Sequence, residues 1–345
     1  MTTAPVPSED WMPLLRRVSR SFYLSIRLLP PALRQPVAVG YLLARATDTV
    51  ADTAACAVVL RRPVLQDLVH AVALPETPPP TLAQGLATMA PDVLQPDEKR
   101  LLDELPGVLR LLCQLPSADR IDVQQVITII GSGQQLDLQR FGEGLRALAS
   151  TDELDDYTWR VAGCVGEFWT RVCARHLPEF ASAPLPELLR QGRRYGQGLQ
   201  RLNLLRDSAE DLAQGRCYWP LEMLAPLGLD AVQLARGIQQ RDAALAQRLQ
   251  PLFLHWLDVI SAELEDGLRY SLALRPWRLR AASVLPALIG MRTVGMLRQR
   301  GAQALFDKVK VPRHEIRQLM LQLLWALPSR PRLQALFERQ ASLRK

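Results

Sequence analysis

The chain has 345 residues, 48% of them apolar and 22% charged, which is enough for a sizeable core and excludes wholesale disorder. A formal net charge of +7 fits an anionic small substrate or an anionic membrane surface, whereas scattered arginines and only 6% aromatics rank nucleic acid last. Five cysteines with no CxxC pair exclude a disulfide framework and point to a reducing compartment, and four histidines lying far apart leave any metal to carboxylates.

The periodicity is helical throughout, with no strand or hairpin signal and no short repeat. It predicts helices over about 9–28, 33–53, 97–114, 118–143, 152–176, 184–213, 229–247, 250–274, 278–300 and 313–326. Ahead of the first, the N-terminal residues lack the basic-then-apolar layout of a signal peptide. Pro30-Pro31 separates the first two helices, and Leu74 through Pro80 reads as a surface loop inside one domain. Thr151, followed by Asp152 and Glu153, marks a helix start, because acids are favourable at the positive end of the helix dipole. The last predicted helix carries Ile316, Leu319, Met320, Leu323 and Leu324 as an amphipathic face. No apolar run approaches the roughly 18 residues needed to span a bilayer, and the end of the chain is polar and basic. The expectation is a single all-α domain over 1–345, cytoplasmic and at most in peripheral contact with the inner face of a membrane, with no protein partner.

Two acidic pairs stand out. Asp48 and Asp52 are four apart on a largely apolar helix, so their carboxylates share one face, one turn apart. Like charges at that spacing repel, and stability asks for neither. Further on, Gln200, Asn203, Asp207 and Asp211 are spaced three, four and four, a polar stripe inside a leucine-rich helix that runs on to Gly215 and the Tyr218-Trp219-Pro220 stop. Mg²⁺ takes oxygen ligands, usually a few carboxylates together with substrate phosphate oxygens. Two acidic helices suit several Mg²⁺ ions around a diphosphate, with Arg20, Arg45, Arg206 and Arg216 as further phosphate contacts and apolar helix faces shielding a carbocation from water.

Four segments carry a resemblance: Ser19-Arg20-Ser21-Phe22, Tyr41 through Asp52, Tyr157 through Gly166, and Gly198 through Pro220. In this order, across about residues 15–220, they resemble the squalene/phytoene synthase family. The resemblance implies an all-α isoprenoid synthase fold around a central cavity, with a catalytic core over about 15–300 and a basic segment with C-terminal helices over about 301–345. It implies that Asp48, Asp52, Asn203, Asp207 and Asp211 bind Mg²⁺. Ser19, Arg20, Ser21, Arg45, Gln200, Asn203 and Arg206 would contact or orient isoprenoid diphosphate, and Tyr41 and Tyr157 would act near the reacting carbons. Val161, Ala162, Gly163 and Gly166 read as packing residues that let helices approach. The first motif carries fewer acids than animal members of the family, which bears on substrate preference.

Within the family, the basic stretch Lys308 through Arg313 resembles the NADPH-linked segment of squalene synthases, which assigns Lys310 and Arg313 to the cofactor, although Pro312 replaces a basic residue. The implied reaction is head-to-head condensation of two farnesyl diphosphates, through presqualene diphosphate, to squalene, with Mg²⁺ and NADPH. Arrest at presqualene diphosphate or dehydrosqualene, and phytoene synthesis, are the alternatives. More remote are a terpene cyclase and a non-catalytic helical scaffold, which would gain nothing from clustered like charges.

Overall fold

The structure, a computed structural model, describes residues 11–19, 23, 26–27, 29–142 and 144–341. The fold is all-α and divides into two compact units at Leu138–Gln139. The first holds α1 (Trp11–Val18), α2 (Pro31–Asp52), α3 (Val58–Ala73), α4 (Pro80–Met89), α5 (Pro96–Asp103), α6 (Leu105–Gln114) and nearly all of α7 (Ser117–Arg140). Proline opens α2, α4 and α5, where its missing N–H costs nothing. The long α2 packs on α3 and α6 and buries Leu42, Leu43, Ala46 and Val50. The predicted helix over 97–114 is two helices, because Pro106 removes a donor and the chain breaks at Glu104. Helices α3 and α4 were not predicted. Pro63 and apolar residues spread round α3 blur its amphipathic pattern.

The second unit contains α8 (Thr151–Thr158), a π-helical turn (Trp159–Gly163), α9 (Cys164–His176), α10 (Leu185–Arg206) and α11 (Ser208–Ala213). It continues with α12 (Leu221–Leu224), α13 (Ala231–Gln239), α14 (Ala243–Ala273), α15 (Trp277–Arg300), a 3₁₀ segment (Gly301–Phe306), α16 (Arg313–Ala326) and α17 (Arg330–Ala341). Thr151 does begin a helix, with the Ser150 hydroxyl accepting from the Glu153 amide at 3.3 Å. α14 runs unbroken through Pro251 and across the gap that the predicted helices 229–247 and 250–274 leave at 248–249. Proline has no N–H to give the Gln247 carbonyl, and Gln247 lies on an exposed part of the helix, where that loss costs least.

α10 lies at the centre of this unit, against α9 and α14. Small residues permit the approach: a Cβ on Gly166 would stand 2.0 Å from the Gly192 carbonyl oxygen, and one on Gly196 2.4 Å from that of Ala162. Buried Arg201 ties α10 to Glu263 of α14 and to Asp155 of α8. The core beneath holds Trp219, stacked on Trp256 with ring centroids 4.9 Å apart, with Phe253, Leu257 and Ile260. One expectation fails in detail. Two-residue strands β1 (Arg146–Ala147) and β2 (Arg216–Cys217) pair in parallel, too short for any periodicity to show.

Candidate active site

In the first unit the sequence-predicted residues line α2. Asp48 is half-buried near its C-terminal end, and Asp52 is exposed one turn on. Gln134 of α7 donates to Asp48 Oδ1 at 2.6 Å. Burial, first, and the neighbouring Asp52 charge push the Asp48 carboxyl up to about 6. Arg45 pairs with Glu98 of α5, while its own Nε is buried without a hydrogen-bond partner among the described residues. The Gln134 Oε1 oxygen is likewise buried and unmatched. Tyr41 is half-buried two turns before Asp48. Ser19 caps the end of α1 by donating its amide to the Leu15 carbonyl at 2.9 Å. Arg20 and Ser21 lie outside the described residues.

In the second unit the polar stripe bends. α10 ends at Arg206, Asp207 has φ −97° and ψ 10°, and α11 restarts at Ser208. The turn-to-turn bonds nevertheless continue, Asp207 N to Asn203 O at 2.8 Å and Asp211 N to Asp207 O at 3.0 Å, so the carboxylates stay in line. Each carboxylate has gathered cations. Arg206 donates to both oxygens of Asp207, at 2.9 and 2.6 Å, and Lys308 Nζ stands 3.1 Å from Asp207 and 2.5 Å from Glu210. Arg216 donates to Asp211 at 3.0 Å. Burial alone would raise the Asp207 carboxyl, but Arg206 and Lys308 outweigh it and hold the group below the ordinary carboxylate range. Gln200 is half-buried and Asn203 exposed on the same stripe.

Two local devices bring these cations in. Gly215, at φ +81°, turns the chain out of α11, a conformation costly for any residue with a Cβ, and the β1–β2 pair then holds Arg216 beside Asp211. Val309, buried at 1% exposure, pins the segment after the 3₁₀ turn and leaves Lys308 over the acids. Lys308 belongs to the basic stretch read for cofactor, yet nothing in its spacing announces Asp207, 101 residues away. Gln134 is equally silent in the sequence. Lys310 and Arg313 are both exposed, at the start of α16 and just before it.

Tyr157 is buried and stacks on Tyr218, with centroids 5.0 Å apart and hydroxyl oxygens 3.3 Å apart. Phe141 meets Tyr218 edge-on at 5.2 Å. Only Tyr157 was singled out from sequence. Tyr218 sat in view in the helix-stop motif, and only the fold reveals the stack.

The donors suit a hard cation: carboxylate and amide oxygens, with an unmatched Gln134 oxygen and a desolvated Asp48 in the first unit and a paired stripe in the second. Among the described residues no three acidic, cysteine or histidine side chains converge, so each pair would complete a metal's shell with water and phosphate oxygens.

Residues 15–315 match the family model described as squalene/phytoene synthase. The chain is 26% identical over 309 residues to squalene synthase R6 of Phoma sp., a match covering 89% of this chain and 69% of that protein. It is 32% identical over 218 residues to a squalene synthase of Eremothecium gossypii and 29% over 210 to squalene synthase ERG9 of Saccharomyces cerevisiae. Each of these matches covers 61% of this chain, and the chain spans only 45% of each of these two relatives. In fold it is similar to TcSQS in complex with the ligand E5700, with a TM-score of 0.72 at 21% identity and 96% of both chains covered. It is also similar to a dehydrosqualene synthase, with a TM-score of 0.61 at 20% identity over 92% of this chain and 95% of that one. The helical fold is therefore that of the isoprenoid synthases.

Proposed function

The chain belongs to the squalene/phytoene synthase family of transferases, and from that premise we propose that it joins two farnesyl diphosphates head to head, through presqualene diphosphate, to squalene. The observation that carries this reading is the Asp207–Asp211 stripe with Arg206, Lys308 and Arg216 drawn onto it. Carboxylates that recruit three cations from three separate segments form a site of mixed charge, suited to a metal-bound diphosphate. Asp48 and Asp52, and in the second unit Asn203, Asp207 and Asp211, would hold Mg²⁺. Bound there, Mg²⁺ would supply positive charge to offset that of a departing diphosphate.

The chain's own groups do the remaining work. In the second unit Arg206, Lys308 and Arg216 would exchange their carboxylates for diphosphate oxygens, with Gln200 as a further contact, and in the first unit Ser19, Arg20 and Ser21 are assigned diphosphate contacts of their own. Arg45, with an unmatched Nε, has a donor to give in the first unit. The Tyr157 hydroxyl, or its ring face backed by Tyr218, would stabilise a nearby cation, and Tyr41 is assigned a similar place. A proton lost from the cation would pass to a tyrosine oxygen or to the released diphosphate. Lys310 and Arg313, exposed and basic, would hold the phosphates of NADPH.

A hydrocarbon product needs a place to go. No helix among the described residues is long and apolar enough to cross a membrane, and the net charge is +7. Peripheral contact with an anionic, cytoplasm-facing membrane surface fits both.

The test is incubation with farnesyl diphosphate and Mg²⁺, with and without NADPH, followed by product identification. Squalene only in the presence of NADPH supports the full reading. Presqualene diphosphate or dehydrosqualene regardless of NADPH identifies a non-reducing enzyme. A product only from the C20 diphosphate identifies a phytoene-type one, and no condensation at all overturns the reading.

A further inference from the structure

The amphipathic face expected on α16 is buried only in part. Leu319, Leu323 and Ala326 turn inward, against α15 and α17, while Met320 and Leu324 stand in solvent with Leu321 and Trp325. Leu321 is 69% exposed and Trp325 64%. At 100° per residue these four span one stripe, and Arg313 and Arg317 continue it toward the N-terminus. Four large exposed apolar side chains within six residues are more than solvation of a surface helix tolerates without purpose.

The charges around the stripe are mostly positive. From Lys310 to Glu338 the chain carries five lysines and arginines and two acids: Glu315, paired with Arg292 at 2.6 Å, and Glu338, which accepts from Gln334 at 3.0 Å. The Arg332 guanidinium lies 4.2 Å from the Trp325 ring centroid, and Arg278 lies 5.4 Å from that of Trp277, itself 54% exposed at the start of α15. Arg280, one turn after Trp277, donates to the Leu327 carbonyl at 3.2 Å, so both tryptophans belong to the same end of the α15–α16 pair. Leucine, methionine and tryptophan in the centre and arginine at the rim, with the neighbouring acids Glu315 and Glu338 already engaged, are the chemistry of a helix lying in the headgroup region of an anionic bilayer.

We propose that the exposed face of α16, with Trp277 beside its C-terminal end, is the surface by which this protein docks on anionic lipid. The proposal rests on the membrane contact put forward above and assigns it to particular residues. A protein partner is disfavoured because the patch is small and its rim is predominantly basic, which suits a phosphate-rich plane.

The experiment is flotation of the full chain with phosphatidylcholine vesicles containing about one-third phosphatidylglycerol. It compares wild type with the double substitution Leu321→Glu/Leu324→Glu, and Mg²⁺-dependent turnover of detergent-dispersed substrate and light scattering are recorded alongside. Both leucines are exposed and outside the acidic sites, so folding and detergent-phase turnover should be unchanged, while vesicle binding falls at least about tenfold. Trp325→Phe should remove part of the fluorescence quenching by brominated lipid. Equal binding by wild type and double variant overturns the assignment to α16 and leaves the membrane contact standing. Failure of wild type to bind these vesicles at low salt overturns both. A wild-type dimer that the double variant converts to monomer would show the face covered by a second copy, and would overturn the proposal too.

Discussion

Asp48 is the residue on which a metal-free protein should register its unusual surroundings. Its carboxyl is raised from 3.8 to about 6, chiefly by burial and then by Asp52. An acid whose folded value exceeds its unfolded value binds protons more readily when folded, so stability falls as pH rises through that window. In chelator, Asp48→Asn should therefore be more stable than wild type at pH 8 by about 1–2 kcal/mol, with the advantage shrinking as pH drops from about 6 toward 4. Urea unfolding at the two ends of that range measures this. Catalysis should move the other way: Asp48→Ala and Asp207→Ala should each cost about a thousandfold or more in turnover with circular dichroism unchanged, and near-normal rates at saturating Mg²⁺ would remove the metal assignment. The aspartates were legible because four-residue spacing on a helix is a local property. Gln134 and Lys308 were not, since Gln134 reaches Asp48 only because α7 lies beside α2, and Lys308 reaches Asp207 only where Val309 anchors the chain.

At the level of elements, the contact of α9 with α10 is decided by absent side chains. Gly166 faces the Gly192 backbone, so a methyl group there must push two helices apart. Gly166→Ala should destabilise the protein by about 1–3 kcal/mol. Gly107→Ala in the first turn of α6 is the control: its Cβ would meet only Arg110 Nη2 at 3.6 Å, and removing glycine's backbone freedom there should gain about 0.5 kcal/mol. Thermal melts of the pair should shift in opposite directions. Read as sequence, the small residues from Val161 to Gly166 already suggested close packing, and the long helices were recognisable by period. What stayed hidden follows from tertiary context. α14 runs through Pro251 at an exposed stretch, α10 halts at Asp207 while its hydrogen bonds carry on, and α16 buries Leu319 and Leu323 but leaves Met320 and Leu324 in solvent.

For the molecule as a whole, the surplus of positive charge is divided by task. Arg206, Arg216 and Lys308 are engaged by acids in the second unit, whereas Lys310 and Arg313 remain exposed, one on either side of Val311 and Pro312. If those two hold the phosphates of NADPH, the two halves of the proposed reaction are separable. Condensation needs only the acidic pairs and Mg²⁺, so Lys310→Ala/Arg313→Ala should form presqualene diphosphate at the wild-type rate. Reduction depends on hydride reaching a short-lived cation, and a weakly held donor loses to other quenching. Two lost charge-assisted contacts should weaken NADPH by about 2–4 kcal/mol, raising its KM by well over tenfold. Presqualene diphosphate or unreduced C30 hydrocarbon should then accumulate, and raising NADPH should restore squalene. The direction of that rescue separates lost cofactor binding from a general defect, which extra cofactor would not repair. Unaltered reduction in the double variant would place the nicotinamide's phosphates on other residues. Unaltered product without NADPH in wild type would mean that this basic stretch serves the surface alone.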